Sequence, residues 1–177
     1  MSLASIALLI AQTVAAEAPA TPPAPPPSCE GASYEAFDFW VGEWDVYPNA
    51  EGAPDKVAES RIEKVSAGCA IRETWMPLQG RGGTSLSAYD PKTEGWHQLW
   101  VGGQPGRVFF DGGAVEGSMI LTGYWGKAQD GTPLLVRMTY SLREDGSVRQ
   151  HGQASKDQGL SWADYFDLIY RPKDATE

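Results

Sequence analysis

From about Cys29 onward the chain is cut into short runs whose hydrophobicity alternates with period two. Gly, Pro and Asp-Gly punctuation separates them about every eight to twelve residues. A period of two sends successive side chains to opposite faces of an extended strand, so a chain with this rhythm is confined to sheet structure. The predicted strands are Trp40–Tyr47, Val57–Val65, Ala70–Met76, Thr84–Tyr89, Trp96–Val101, Arg107–Phe110, Ser118–Trp125, Leu134–Leu142, Val148–Ser155 and Ala163–Tyr170, preceded by one helical turn at Tyr34–Phe37. Most connections are of hairpin length. Asp111-Gly112, Asp130-Gly131 and Asp145-Gly146 suit turns that need positive φ, and Asp90-Pro91 with Gly95 makes another. With no long helix and no β-α-β alternation, such a meander either stacks as a sandwich or closes on itself, and sequential hairpins close most readily. The expected fold class is all-β: an antiparallel up-and-down meander closing into a barrel of about nine or ten strands.

The N-terminal region does not share this rhythm. Leu3 to Ala16 is a short apolar run ending in Val14-Ala15-Ala16, the small-residue cleavage pattern of a secretory signal, and it is too short to span a bilayer. No Lys or Arg precedes Leu3, so a buried N-terminal helix is the alternative. Glu17 to Ser28 holds six of the thirteen prolines and nothing that packs, which reads as an extended tether. The organisation is thus a signal peptide at 1–16, a Pro-rich tether at 17–28 and one β-barrel domain at 29–177. Pro27-Ser28 before Cys29 lacks the residues of a bacterial lipid-attachment box, so no membrane anchor is expected in the mature chain. The expected location is periplasmic or secreted. In an oxidising compartment two cysteines with no third thiol to compete, Cys29 and Cys69, read as one disulfide, the alternative being two buried thiols.

A formal charge of −9 argues against nucleic acid or an anionic membrane as partner, since both demand a basic face. The sequence is silent on oligomeric state.

The segment Phe37-Asp38-Phe39-Trp40-Val41-Gly42-Glu43-Trp44-Asp45-Val46 carries a G-x-W at the start of the first strand, the opening signature of lipocalins and other calycins. Further fragments accompany it: Gly68-Cys69-Ala70-Ile71 with Glu73 and Trp75, Tyr89-Asp90-Pro91 followed by Trp96-His97-Gln98, and Val148-Arg149-Gln150. Together they resemble a group of uncharacterised bacterial exported proteins within or near the DUF1579 assemblage, over essentially the whole chain after Cys29. The resemblance implies a calycin-like barrel and a Cys29–Cys69 pairing; it implies nothing about a ligand. Unlike lipocalins, the chain has no C-terminal helix pattern. Gly42 is expected to turn the chain tightly into the barrel floor and Trp44 to plug that floor. By resemblance to lipocalins, Arg171 would cover Trp44 with its guanidinium.

Seven Trp, seven Tyr and five Phe supply more aromatic surface than a small core needs, so part of it is expected to line a cavity. The candidate ligand-binding residues are Glu73, Trp75, His97, Gln98, Trp100 and Arg149. Glu73 shares a strand face with Ile71 and Trp75, where a carboxylate is poorly solvated and needs a partner or a proton; Arg137, Arg149 and His97 are the candidate partners. In the Trp96–Val101 run either Trp96, Gln98 and Trp100 or His97, Leu99 and Val101 face inward. A lone histidine is the axial ligand of the small haem barrels called nitrobindins, calycin relatives, but no second haem feature accompanies His97 or His151, so no cofactor is expected. Metal-ligand spacing, a phosphate loop at Gly102–Gly106 and G-x-S-x-G around Ser85 or Ser155 are all missing.

The expected function is therefore binding of a small apolar or aromatic molecule. The alternatives are an acid–base enzyme of isomerase or hydratase type acting on such a molecule, with Glu73 or His97 as the proton-transfer group and the catalytic set otherwise open, or a filled barrel serving as an interaction module.

Overall fold

The computed structural model describes residues 28–52 and 54–173. The expected signal peptide, and the expected tether except Ser28, lie outside the described residues. After a helical turn α1 (Ala32–Glu35) and a 3-10 turn (Asp38–Trp40), ten strands follow: β1 (Gly42–Pro48), β2 (Ala58–Val65), β3 (Ala70–Pro77), β4 (Gly83–Asp90), β5 (Gly95–Val101), β6 (Val108–Val115), β7 (Ser118–Lys127), β8 (Pro133–Leu142), β9 (Val148–Ser155) and β10 (Ala163–Pro172). Each pairs antiparallel with its sequence neighbours, and β1 pairs with β10 from Trp44↔Pro172 to Pro48↔Leu168, which closes the barrel. The expected all-β meander is thus a closed ten-stranded antiparallel barrel, consistent with the expected lipocalin-like build, and closure needs no C-terminal helix because β10 pairs directly with β1. Among the described residues no helix is long and apolar enough to cross a membrane.

Alternation along the strands builds the core. Val46, Ile62, Ile71, Leu121, Val136 and Val148 face inward and are buried. On β5, Trp96 and Gln98 are buried and Trp100 is half-buried, whereas His97 is exposed. That decides a face the sequence left open, as the larger apolar area of two tryptophans predicts.

Two local expectations are corrected. Trp40 belongs to the 3-10 turn ahead of β1, not to the strand. Asp111-Gly112 is no turn: β6 continues through it, and the chain reverses at Glu116-Gly117, where both residues take positive φ (49° and 80°). The reason lies at Gly112, whose absent Cβ would stand 1.9 Å from the Ile120 carbonyl oxygen on β7. Here glycine permits close approach of two backbones inside a strand.

Cys29 and Cys69 form a disulfide across a sequence separation of 40. It fastens the stretch leading into α1 to the 3-10 turn (Ser66–Gly68) between β2 and β3. In the chain-entropy account a loop of that length contributes about 3–4 kcal/mol.

Candidate functional site

The segment from Ala32 to Trp40 folds across one end of the barrel. Phe37 and Trp40, both fully buried, stack at 4.9 Å between ring centres and meet Tyr140 at 5.0 and 4.8 Å. Trp96 closes edge-on against Phe37 at 5.8 Å. Trp44 sits above this floor, its Nε1 donating to the Trp40 carbonyl at 2.9 Å. Arg171 does not cover it. Tyr170 occupies the inward position of β10 and packs edge-on against Trp44, so Arg171 points outward and lies over the Tyr47 ring at 4.5 Å.

Beyond the floor the lumen holds a cavity of about 230 Å³, lined by Glu73, Trp75, Gln98, Trp100, Phe110, Trp125, Met138, Tyr140, Gln150, Phe166, Leu168 and Tyr170. These residues fall into two levels along the strands. Midway lies a polar belt. Glu73, on β3, accepts hydrogen bonds from the hydroxyls of Ser60 on β2 and Ser85 on β4, each at 3.1 Å. The Tyr170 hydroxyl donates to Gln150 Oε1 at 2.7 Å, Gln150 Nε2 donates to the Tyr140 oxygen at 2.9 Å, and Gln98 Nε2 donates to Ser87 Oγ at 3.0 Å. Nearer the open end stand Trp75, Trp100, Trp125 and Phe166. Two rings lie back against the wall because glycine leaves them room: a Cβ on Gly83 would meet the Trp100 ring at 2.5 Å, and one on Gly152 the Phe166 ring at 2.3 Å.

Burial pushes the Glu73 carboxyl up to about 7, against the opposing pull of the Ser85 and Ser60 hydroxyls and of the nearby Tyr170 hydroxyl, whose hydrogen-bond geometry is directed to Gln150. The same burial, reinforced by the Glu73 charge, holds the hydroxyls of Tyr140 and Tyr170 well above their ordinary range, so both stay neutral. Among the described residues no cation pairs with Glu73. Its expected partners are all outside the barrel. His97 contacts Asp111 at 2.6 Å and Thr93 at 2.8 Å; Arg149 donates twice to Asp167, at 2.9 and 2.6 Å; Arg137 binds Gln153 and lies over Trp162 at 4.3 Å.

Four of the six expected ligand-binding residues, Glu73, Trp75, Gln98 and Trp100, therefore line one cavity, and two, His97 and Arg149, do not. Each misplaced residue precedes an inward glutamine, Gln98 or Gln150, by one position and takes the opposite face for that reason. The sequence reading missed Gln150, Tyr140, Tyr170 and the two serines. Their inward positions followed from the alternation of Val148, Gln150 and Gly152 on β9 and of Val136, Met138 and Tyr140 on β8, but a serine on a strand looks like a solvent-facing residue. Neither histidine faces the lumen: His151 contacts Asp164 at 2.8 Å on the outside. Among the described residues no group of three or more His, Cys, Asp or Glu is placed to hold a metal ion.

No protein-family model matches the chain, and no curated protein matches it.

Proposed function

We propose that the barrel is an exported binding protein that holds a small apolar or aromatic molecule in its lumen. One observation carries this reading: an aromatic cavity, open at one end of the barrel, with a few convergent polar groups, the usual makeup of small-molecule sites. Its volume of about 230 Å³ is well above that of a packing defect. An apolar cavity of about 150 Å³ takes up benzene, so this lumen suits a one- or two-ring compound and leaves a filled interaction module as the poorer reading. Export is supported by the leader-like run at 1–16, by the resemblance to bacterial exported proteins, and by the Cys29–Cys69 disulfide, a bond that persists in oxidising compartments. Titration calorimetry with indole is the test. Saturable one-to-one binding is expected, abolished by filling the lumen with Leu168→Trp in a variant whose circular dichroism stays native. No binding, or binding untouched by the filled lumen, overturns the reading.

A specific observation also favours the acid–base alternative: a buried carboxyl poised near neutrality inside a pocket is the equipment of a proton-transfer enzyme. Turnover of a bound compound that Glu73→Gln abolishes while binding persists would move the assignment to that class.

A further inference from the structure

We propose that the molecule held in this lumen is a small organic cation, a protonated amine on an aromatic or compact aliphatic body, bound through its ammonium group at Glu73. The inference rests on the reading of the lumen as a small-molecule site and names the chemistry that site selects.

Three independent features point the same way. The first is charge. Of the residues lining the cavity, Glu73 is the only carboxylate, and no Lys, Arg or His lines it. Every ion pair of the described residues uses other carboxylates. A buried carboxylate without a cation is costly to ionise unless a ligand brings the opposite charge.

The second feature is the balance of donors and acceptors. An ionised carboxylate offers about four acceptor sites, and Glu73 uses one on each oxygen, for Ser60 and Ser85. Most of the surrounding donors are engaged: the Tyr170 hydroxyl with Gln150, the Gln150 amide with Tyr140 and the Met138 sulfur, the Tyr140 hydroxyl with the Met138 sulfur, and one N–H of the Gln98 amide with Ser87. An arriving carboxylate would meet the like charge of Glu73 with no cation in the lining to offset it. An ammonium, which has donors only, finds open acceptors on Glu73.

The third is the wall. Trp75, Trp100 and Trp125 line the same space, and a cation near a tryptophan ring is attracted by the ring's quadrupole, most strongly when desolvated. The net charge of −9 over the whole sequence adds a field that gathers cations and repels anions.

Binding is coupled to the protonation of Glu73. The groups that face it are Ser60 from β2, Ser85 from β4, Tyr140 from β8 and Tyr170 from β10, and both tyrosines remain neutral. Glu73 is then the group whose proton competes with the ligand, and affinity for an amine falls as pH drops below about 7.

The test is calorimetry of the full chain with benzylamine and with benzyl alcohol, a neutral probe of the same shape and size. At pH 8 benzylamine should bind at least about tenfold more tightly. At pH 6, where the amine is still protonated, that preference should shrink about tenfold, following the ionised fraction of Glu73. Glu73→Gln should remove the preference for the amine and make the two probes bind equally. Equal or tighter binding of benzyl alcohol by the unmodified protein at pH 8 overturns the proposal with no variant needed, and so does a preference that survives Glu73→Gln; in both cases the lumen remains a site for neutral molecules. If indole and both probes all fail to bind, the broader reading of the lumen falls as well.

Discussion

At the closed end of the barrel Phe37 and Trp40 stack at 4.9 Å and reach Tyr140 within 5.0 Å, whereas at the open end Trp75, Trp100, Trp125 and Phe166 stand around about 230 Å³ of space. The side chains are of one kind and the outcomes are opposite. At the closed end a segment outside the sheet, Ala32 to Trp40, carries two rings into the lumen. At the open end Gly83 and Gly152 let Trp100 and Phe166 lie against the wall. Aromatic content therefore does not by itself decide whether a barrel is filled. What decides is where non-strand chain enters the lumen and where a missing Cβ lets a ring retreat.

The comparison breaks most directly by truncating one ring at each end. Trp40→Ala removes a fully buried side chain and should cost about 3–5 kcal/mol of unfolding free energy, whereas Trp100→Ala, at a half-buried wall position, should cost less than about 1.5 kcal/mol. Urea denaturation of the two variants measures this, and equal losses would erase the distinction between floor and mouth.

A somewhat smaller effect belongs to the polar belt between the two ends. The Glu73 carboxyl lies near 4.5 when unfolded and near 7 when folded. A raised folded value means that its stabilising contribution is fully present below about pH 4.5 and is lost as pH rises to about 7, on the order of 3 kcal/mol in all. Glu59 and Asp157, both pushed down to about 2, act with the opposite sign and at more acid pH. Urea midpoints of wild type and Glu73→Gln from pH 4 to 8 should diverge across that window, the variant growing relatively more stable as pH rises. Parallel curves would show that the carboxyl does not titrate there.

The smallest effect is expected at a residue one position from the cavity lining. His97→Ala should change stability by no more than about 0.5 kcal/mol and leave the indole titration unaltered, because His97 is exposed and pairs with Asp111 and Thr93 on the outer surface. Weakened indole binding would mean that the outer face of β5 shapes the lumen after all.

These residues also show what the sequence conveys. Strand order and count were legible because period-two alternation is a local property, and Glu73 stood out because Ile71 and Trp75 flank it at the same phase. His97 and Arg149 drew attention by their chemistry, while phase favoured Gln98 and Gln150. On β2 the inward set Ala58, Ser60 and Ile62 includes a serine, whose place inside makes sense only once Glu73 is known to need its hydroxyl. Asp111-Gly112 was misread because a glycine that relieves a close approach between β6 and β7 is written with the same letter as one that turns the chain.

Pairing of β1 with β10 has a consequence for how the chain must be made. Gly42–Pro48 waits for Ala163–Pro172, the last of the described strands to be synthesised. Until that strand arrives the growing sheet carries two open edges, each a template for pairing with another chain. Closure by such distant contacts places folding among the slow topologies, in the range of milliseconds to seconds. A chain arrested before β10 would keep both edges exposed, so aggregation of incomplete chains during synthesis, more than unfolding of finished ones, is the hazard this architecture carries.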